Sequence, residues 1–228
     1  MKEEIDQKSD RREFLGSLVT GAAALGMAAI PASFAQAADP AQDTDLEAWF
    51  GQLKGKHKLV FDVIRPHGIY PFAWPRVFML TNEMTGAKPG ETNVVVVLRH
   101  EGICFAFDDR IWAKYKFGEV FKVDDAATNA ASVRNAFANP KPGEYKAPGV
   151  GPIAIGINEL QASGVMFCVC SMAMTVFSTR VATSMGMNPA DVLKEWQSGI
   201  LPGIKPVPSG VWAVGRAQEH GCGYCVTG

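Results

Sequence analysis

The sequence predicts one layered α/β domain in which helices cover both faces of a mostly parallel β-sheet. Segments with strand character alternate with helical segments, which is the pattern of right-handed β–α–β crossovers. Residues 93–98 are apolar almost throughout, as expected of a parallel strand covered on both faces. Pro and Gly concentrate in residues 139–152, but neither side of that segment makes a complete domain alone. We therefore expect an irregular loop inside one domain.

The individual elements follow from apolar runs, helix-forming stretches and the residues that bound them. Short apolar runs indicate strands, which are predicted at 58–64, 93–98, 165–169, 204–207 and 222–226. Asn188 is the predicted N-cap of the helix that follows it, because its side chain accepts a hydrogen bond from the first turn. Helices are predicted at 45–53, 72–84, 108–115, 126–138, 155–162, 171–185, 189–197 and 209–220.

The N-terminal residues have the order of an export signal. Arg11 and Arg12 precede an uncharged run over 14–30, and residues 35–37 (Ala-Gln-Ala) match the small-residue pattern of a signal peptidase site. The paired arginines resemble the twin-arginine (Tat) class of signals. We expect a signal peptide at 1–37, a leader and short helix at 38–57 and the domain at 58–228. An uncleaved membrane anchor is the alternative, although the run is short for a bilayer span.

The charge balance gives no reason to expect a nucleic-acid or lipid partner. Residues 1–37 hold four of the 22 Lys and Arg and five of the 23 Asp and Glu, so the remainder carries 18 of each. A domain with no basic excess lacks the electrostatic footprint of a nucleic-acid-binding protein. After signal cleavage we expect no membrane association, and the domain would act in the oxidising periplasm.

Candidate site residues follow from the rule that open parallel sheets carry their sites at the carboxyl ends of the strands. His67 follows the first predicted strand, Arg99 and His100 end the second, and Cys170 ends the third. We expect these four side chains along one rim of the sheet. Cys104, inside an apolar stretch, is expected to pack as a small hydrophobic residue.

Cys170 is the sharpest candidate, because a helix is predicted to begin directly after it. Unpaired backbone N–H groups at a helix start favour negative charge, and the thiolate is the nucleophilic form of cysteine. Cys168 lies two residues earlier on the same strand, so both thiols are expected on one face, with Cys168 deeper. The alternative is that both are packing residues, since free cysteine is often buried.

Cys222 and Cys225 form a C-x-x-C pair at the end of the chain. A thioredoxin-type pair opens a long helix, for which too few residues remain, and the haem-binding form requires a histidine where Val226 stands. A local disulfide or two separate thiols is expected, with a redox role open.

The sequence contains no dinucleotide or phosphate-binding fingerprint and no second ligand pair for zinc, so we expect no cofactor and no metal.

Three segments resemble the DsrE/DsrF-like sulfur-relay family. Residues 160–173 are similar to its helix, Gly-Val, strand, Cys, helix element, and residues 95–102 to the strand-then-His stretch of its exported members. Residues 207–224 look like the closing helix and strand of those Tat-exported members. The resemblance implies a single-domain, flavodoxin-like three-layer sandwich, assembly into homo-oligomeric trimers or hexamers, and a persulfide carried on Cys170.

The first functional hypothesis is therefore a periplasmic sulfur carrier or sulfurtransferase. The Cys170 thiolate would take sulfur from a sulfane donor, His100 would return a proton, and Arg99 and His67 would bind the donor. A dithiol redox protein using Cys168 and Cys170, or the C-terminal pair, is a second hypothesis. A non-catalytic module that binds a small ligand or a partner, with residues 70–75 lining its pocket, is a third.

Overall fold

The structure is a computed structural model that describes residues 40–126 and 128–227 of the 228-residue chain. The predicted signal peptide at 1–37 lies outside the described residues. Within the described part, no helix is both long enough and apolar enough to cross a membrane. Contacts divide the chain after Asp45, and the compact unit that contains the sheet begins at Leu46.

Strands and helices alternate along the described chain. The strands are β1 His57–Val63, β2 Thr92–Leu98, β3 Lys146–Ala147, β4 Gly151–Pro152, β5 Met166–Cys170, β6 Ile204–Val207 and β7 Gly223–Thr227. The helices are α1 Pro40–Phe50, α2 Tyr70–Met84, α3 Asp109–Lys114, α4 Phe117–Phe121, α5 Ile157–Ala162, α6 Ser171–Met185, α7 Pro189–Ser198 and α8 Gly210–Glu219. A 3-10 helix at His100–Ala106 follows β2 directly.

Five strands form one sheet in the order β6-β5-β2-β1-β7, and every neighbouring pair is parallel. The register aligns Val63 of β1 with Leu98 of β2, and Leu98 with Val169 of β5, so the carboxyl ends of the strands meet at one edge. Strands β3 and β4 form a separate two-stranded antiparallel ribbon. The predicted fold class, an α/β sandwich with a mostly parallel sheet, is confirmed.

Each face of the sheet has its own hydrophobic core. On the first face, alternate strand residues such as Phe61, Val96 and Phe167 pack under α2 to α7. On the second face, the residues between them pack under α1 and α8, where Val97 lies in one cluster with Ala213. Residues 94–98 of the central strand are all buried, which is why that strand is an unbroken apolar run.

The chain changes direction at β6. The helices after β5, α6 and α7, pack on the first face, whereas α8 follows β6 and packs on the second face on its way to β7 at the opposite edge of the sheet. Right-handed crossovers in opposite directions must use opposite faces. A crevice therefore opens between the carboxyl ends of β5 and β6, the kind of place where open α/β sheets bind ligands.

The helix predicted at 126–138 is wrong, since the described residues of that segment form turns and bends. The Asn135 side chain donates to the carbonyl oxygens of Phe105 and Phe107 at 2.8 and 2.9 Å. Phe137 packs in the first-face core beside them. These tertiary contacts outweigh the helix propensity of the alanines, because asparagine that bonds backbone groups favours irregular structure. The N-cap prediction for Asn188 is confirmed by its 2.9 Å bond from the Ala190 amide.

We predict that Tyr115 makes the fold less stable at alkaline pH. Its side chain lies in the first-face core and is 1% exposed. Its hydroxyl donates to Glu195 Oε2 at 2.6 Å, and burial, with this bond, raises the pKa of Tyr115. A phenol whose folded-state pKa is raised stabilises the fold fully below the unfolded value of about 10 and less as pH rises above it. Tyr115→Phe should cost about 1 kcal/mol at neutral pH, and that difference should shrink above about pH 10. Urea unfolding of wild type and Tyr115→Phe at neutral pH and above about pH 10 measures the difference in the free energy of unfolding. A difference that does not change with pH would contradict the prediction.

Candidate functional site

A cleft of about 270 Å³ lies at the carboxyl edge of the sheet, in the crevice between β5 and β6. Its walls come from the residues after β2, the first ten residues of α6 with Cys170 before them, and the start of α8. No carboxylate is among the described residues that line it. The lining residues are Arg99, His100, Cys170, Met172, Ala173, Val176, Phe177, Arg180, Ser209, Gly210 and Val211.

Cys170 is the N-cap of α6. Its Sγ accepts a hydrogen bond from the backbone amide of Ala173 at 3.2 Å. Ser209 caps α8 in the same way, accepting from the Trp212 amide at 3.2 Å. Both helices therefore begin at this cleft, and the positive ends of their dipoles favour a negative charge there. A thiolate at Cys170 accepts such bonds more strongly than a neutral thiol does.

Cys168 and Cys170 differ in depth as predicted, but they do not share a packing environment. Cys168 is 0% exposed and belongs to the second-face core under α8, whereas Cys170 is 6% exposed and packs with the first-face core. The strand alternation that predicted one common face ends at Cys170, because this last residue of β5 is also the N-cap of α6 and its side chain bonds to the Ala173 amide. Burial also raises the pKa of Cys168, which keeps it a neutral thiol.

Arg99 lines the cleft, but its guanidinium is already paired. Nε and Nη2 donate to the two carboxylate oxygens of Asp62 at 2.6 and 2.8 Å. Tyr224 of β7 donates to the same carboxylate at 2.8 Å. The bond to Asp62 raises the pKa of Arg99, and burial, followed by that carboxylate, raises the pKa of Tyr224. This network joins Asp62 of β1 and Arg99, which follows β2, to Tyr224 near the start of β7.

Gly210 brings α8 against the Arg99 side chain. A Cβ at position 210 would clash with Arg99 Cβ, so only glycine allows the helix to start this close to β2. The second helix start consequently faces the same space as Cys170.

His100 lies at the mouth of the cleft, as predicted for a residue ending β2. Its backbone has a φ of 49°, in the left-handed region that non-glycine residues rarely occupy. This turn at the start of the 3-10 helix brings its ring within 5.5 Å of the Phe177 ring, edge to face. The guanidinium of Arg180 lies over the same Phe177 ring at 5.4 Å. The buried Phe177 ring is therefore close to both an imidazole and a guanidinium that line the cleft.

His67 is not part of the cleft. It lies in the loop between β1 and α2, and its ring is 5.0 Å from that of Tyr70. Tyr70 in turn stacks on Trp74 at 5.0 Å. The predicted donor-binding role of His67 therefore has no support from position. β1 is separated from β5 by β2, so the loop after β1 does not adjoin the strand that ends at Cys170.

The C-terminal cysteines lie on opposite faces of the sheet. Cys222 is buried in the second-face core, and Cys225 packs against the first-face core. All five cysteines are free thiols, so the local disulfide does not form in this arrangement. Burial raises the pKa of Cys222, Cys225 and Cys104. Cys104 packs as the small hydrophobic residue expected. Among the described residues, no three His, Cys, Asp or Glu side chains are grouped as metal ligands would be.

Three residues of the site were missed by the sequence reasoning. Asp62 carries a signal that would have found it, since it is a lone carboxylate inside an otherwise apolar strand. Ser209 is the first residue of a predicted helix, and serine at a helix start is a favoured N-cap. No sequence signal marks Arg180. It lies about three turns into α6, and from sequence alone an arginine there belongs to an ordinary polar helix surface.

Comparisons with known proteins give little guidance. No protein-family model matches the chain, and no curated protein matches it. Among solved structures, it is similar to the protein of unknown function MTH1491 from Methanobacterium thermoautotrophicum. The match has 16% sequence identity and a TM-score of 0.39, and covers 75% of this chain and 99% of the other.

Proposed function

We propose that this protein is a DsrE-like sulfur carrier or sulfurtransferase that holds a persulfide on Cys170 and acts in the periplasm as a homo-oligomer. The observation that carries the proposal is the Cys170 Sγ, which caps α6 with a 3.2 Å bond from the Ala173 amide and borders a cleft. The twin-arginine pattern supports the location. The resemblance to the sulfur-relay family supports the chemistry and the oligomer.

Sulfur uptake is a displacement at a sulfane sulfur. The Cys170 thiolate attacks that sulfur, a Cys170–S–S bond forms, and the donor's own S–S bond breaks. With thiosulfate as donor, sulfite leaves with the bonding electron pair, and the persulfide is left as an anion. The sulfane sulfur only exchanges one sulfur partner for another, so no outside oxidant or reductant takes part.

The cleft is suited to the anions of this reaction. The Ala173 N–H and the dipole of α6 stabilise the thiolate before the attack and the persulfide anion after it. His100 lines the same cleft and is the group to which we assign proton delivery to a leaving thiolate. Arg99 contributes less than expected, because Asp62 already takes two of its donors.

The test is mass spectrometry of the intact protein after incubation with a sulfane donor, followed by removal of excess donor. Wild type is expected to gain about 32 Da, one sulfur atom, and to lose it on mild reduction. Cys170→Ser should show no gain.

Cys225→Ser is the matched control, since it removes a more accessible thiol outside the cleft. This variant should gain the same mass as wild type. A gain that persists in Cys170→Ser and disappears in Cys225→Ser would reject Cys170 as the carrier. Absence of any gain with thiosulfate or organic persulfides would reject the sulfur-carrier function in favour of a binding module.

A further inference from the structure

The lining of the cleft follows α6 from the Cys170 thiol at the start of the helix to the Arg180 guanidinium further along it. Cys170 and Arg180 both line it and are ten residues apart, which is about 15 Å along a helix axis. Arg180 reaches back over Phe177, one turn closer to Cys170. The charge therefore lies roughly 10 Å from the residue that carries the thiol.

Arg180 differs from Arg99 in having no acidic partner. In residues 40–126 and 128–227, no carboxylate forms an ion pair with Arg180, whereas Arg99 is held by both oxygens of Asp62. Resting on an aromatic ring leaves the N–H groups of a guanidinium available to a carboxylate. The guanidinium that has no acidic partner among the described residues, that of Arg180, is therefore at the end of the cleft remote from Cys170.

The space between the two ends is apolar. Met172 and Val176 of α6 and Val211 of α8 line it. These side chains are 45%, 41% and 70% exposed and lie together in one cleft, and grouped exposed apolar residues mark binding sites. An opening of about 270 Å³ approaches the size of pockets that hold small organic ligands.

We propose that the sulfur donor is a low-molecular-weight organic persulfide whose carboxylate lies roughly 10 Å from its sulfane sulfur, and that Arg180 is the residue that selects it. The inference rests on the proposed function. An inorganic oxyanion such as thiosulfate is too short to touch both ends of the cleft and has no apolar part for its middle. In the transfer, the Cys170 thiolate takes the terminal sulfur with its proton, and the organic thiolate leaves.

The experiment uses methanethiosulfonates, which convert a thiolate to a mixed disulfide and release methanesulfinate. A carboxyhexyl reagent and a carboxyethyl reagent are each compared with the neutral carboxamide of the same length. Labelling rates at Cys170 are followed by peptide mass spectrometry. In wild type, the long carboxylate should react about tenfold faster than its carboxamide.

Arg180→Gln should reduce that long-chain ratio to about one, leave the carboxamide rate unchanged, and leave the short-chain ratio as in wild type. Lys56→Gln is the matched control, because it removes an equal charge at the opposite edge of the sheet and should change nothing. A long-chain ratio that Arg180→Gln leaves intact would overturn the inference while the proposed function stands. Failure of every reagent to label Cys170 would overturn both.

Discussion

Cys170→Ser is expected to leave the fold intact while abolishing sulfur uptake. The physical reason is the role of residue 170 as an N-cap. Serine is among the best N-cap residues, and its hydroxyl accepts from the Ala173 amide as the thiol does. The better cap offsets the lost burial of the sulfur, so the free energy of unfolding should change by no more than about 1 kcal/mol. The nucleophile, by contrast, is removed completely.

Cys170→Ala separates the cap from the chemistry. Alanine cannot accept the bond, so this variant should be less stable than Cys170→Ser by about 1 kcal/mol and equally unable to take up sulfur. Urea unfolding and the mass gain of the intact protein measure the two effects side by side. A cysteine kept only for packing would give the opposite order, with the serine variant the less stable of the two. That order would indicate a structural residue.

Asp62→Ala is expected to be the most destabilising change at the site. The Asp62 carboxylate is 2% exposed and Arg99 is 24% exposed, so losing the carboxylate leaves a largely desolvated guanidinium without its partner. Breaking such a pair costs about 3–5 kcal/mol when both groups are buried, and the partial exposure of Arg99 reduces this to about 2–4 kcal/mol. Tyr224 loses its acceptor as well.

A double-mutant cycle shows whether this cost comes from the stranded charge. Arg99→Met in the Asp62→Ala background should recover much of the lost stability, since an apolar replacement of both partners is often close to neutral. Denaturant unfolding of wild type, both single variants and the double variant gives the coupling energy. Strictly additive losses would mean that the two residues stabilise the protein independently, contrary to the bidentate geometry.

The sheet could be predicted from sequence because its signals are local. The apolar run of β2, the short run of β5 and the helix after it all fall within one or two residues of their predicted bounds. The helix expected at 126–138 failed because Asn135 and Phe137 are held by contacts distant in sequence. Propensity describes the isolated segment and carries no information about such contacts.

The sequence located residues of the cleft only where their position did not depend on the order of the strands. Cys170 and His100 end neighbouring strands, β5 and β2, so the rule on carboxyl ends placed both in the cleft. His67 ends a strand one position further away, and nothing in its own sequence gives the order of the strands. Arg180 was missed for a related reason, because its place in the cleft depends on how α6 lies beside α8.

The most direct measurement of the central claim is the order in which the five cysteines react with a limiting amount of iodoacetamide at neutral pH, mapped by peptide mass spectrometry. Cys170 is predicted to be labelled first, ahead of the more exposed Cys225, because Cys170 borders a cleft and accepts a bond from a backbone amide at a helix start. Labelling of Cys225 first, with Cys170 unmodified until the protein is unfolded in urea, would contradict the claim.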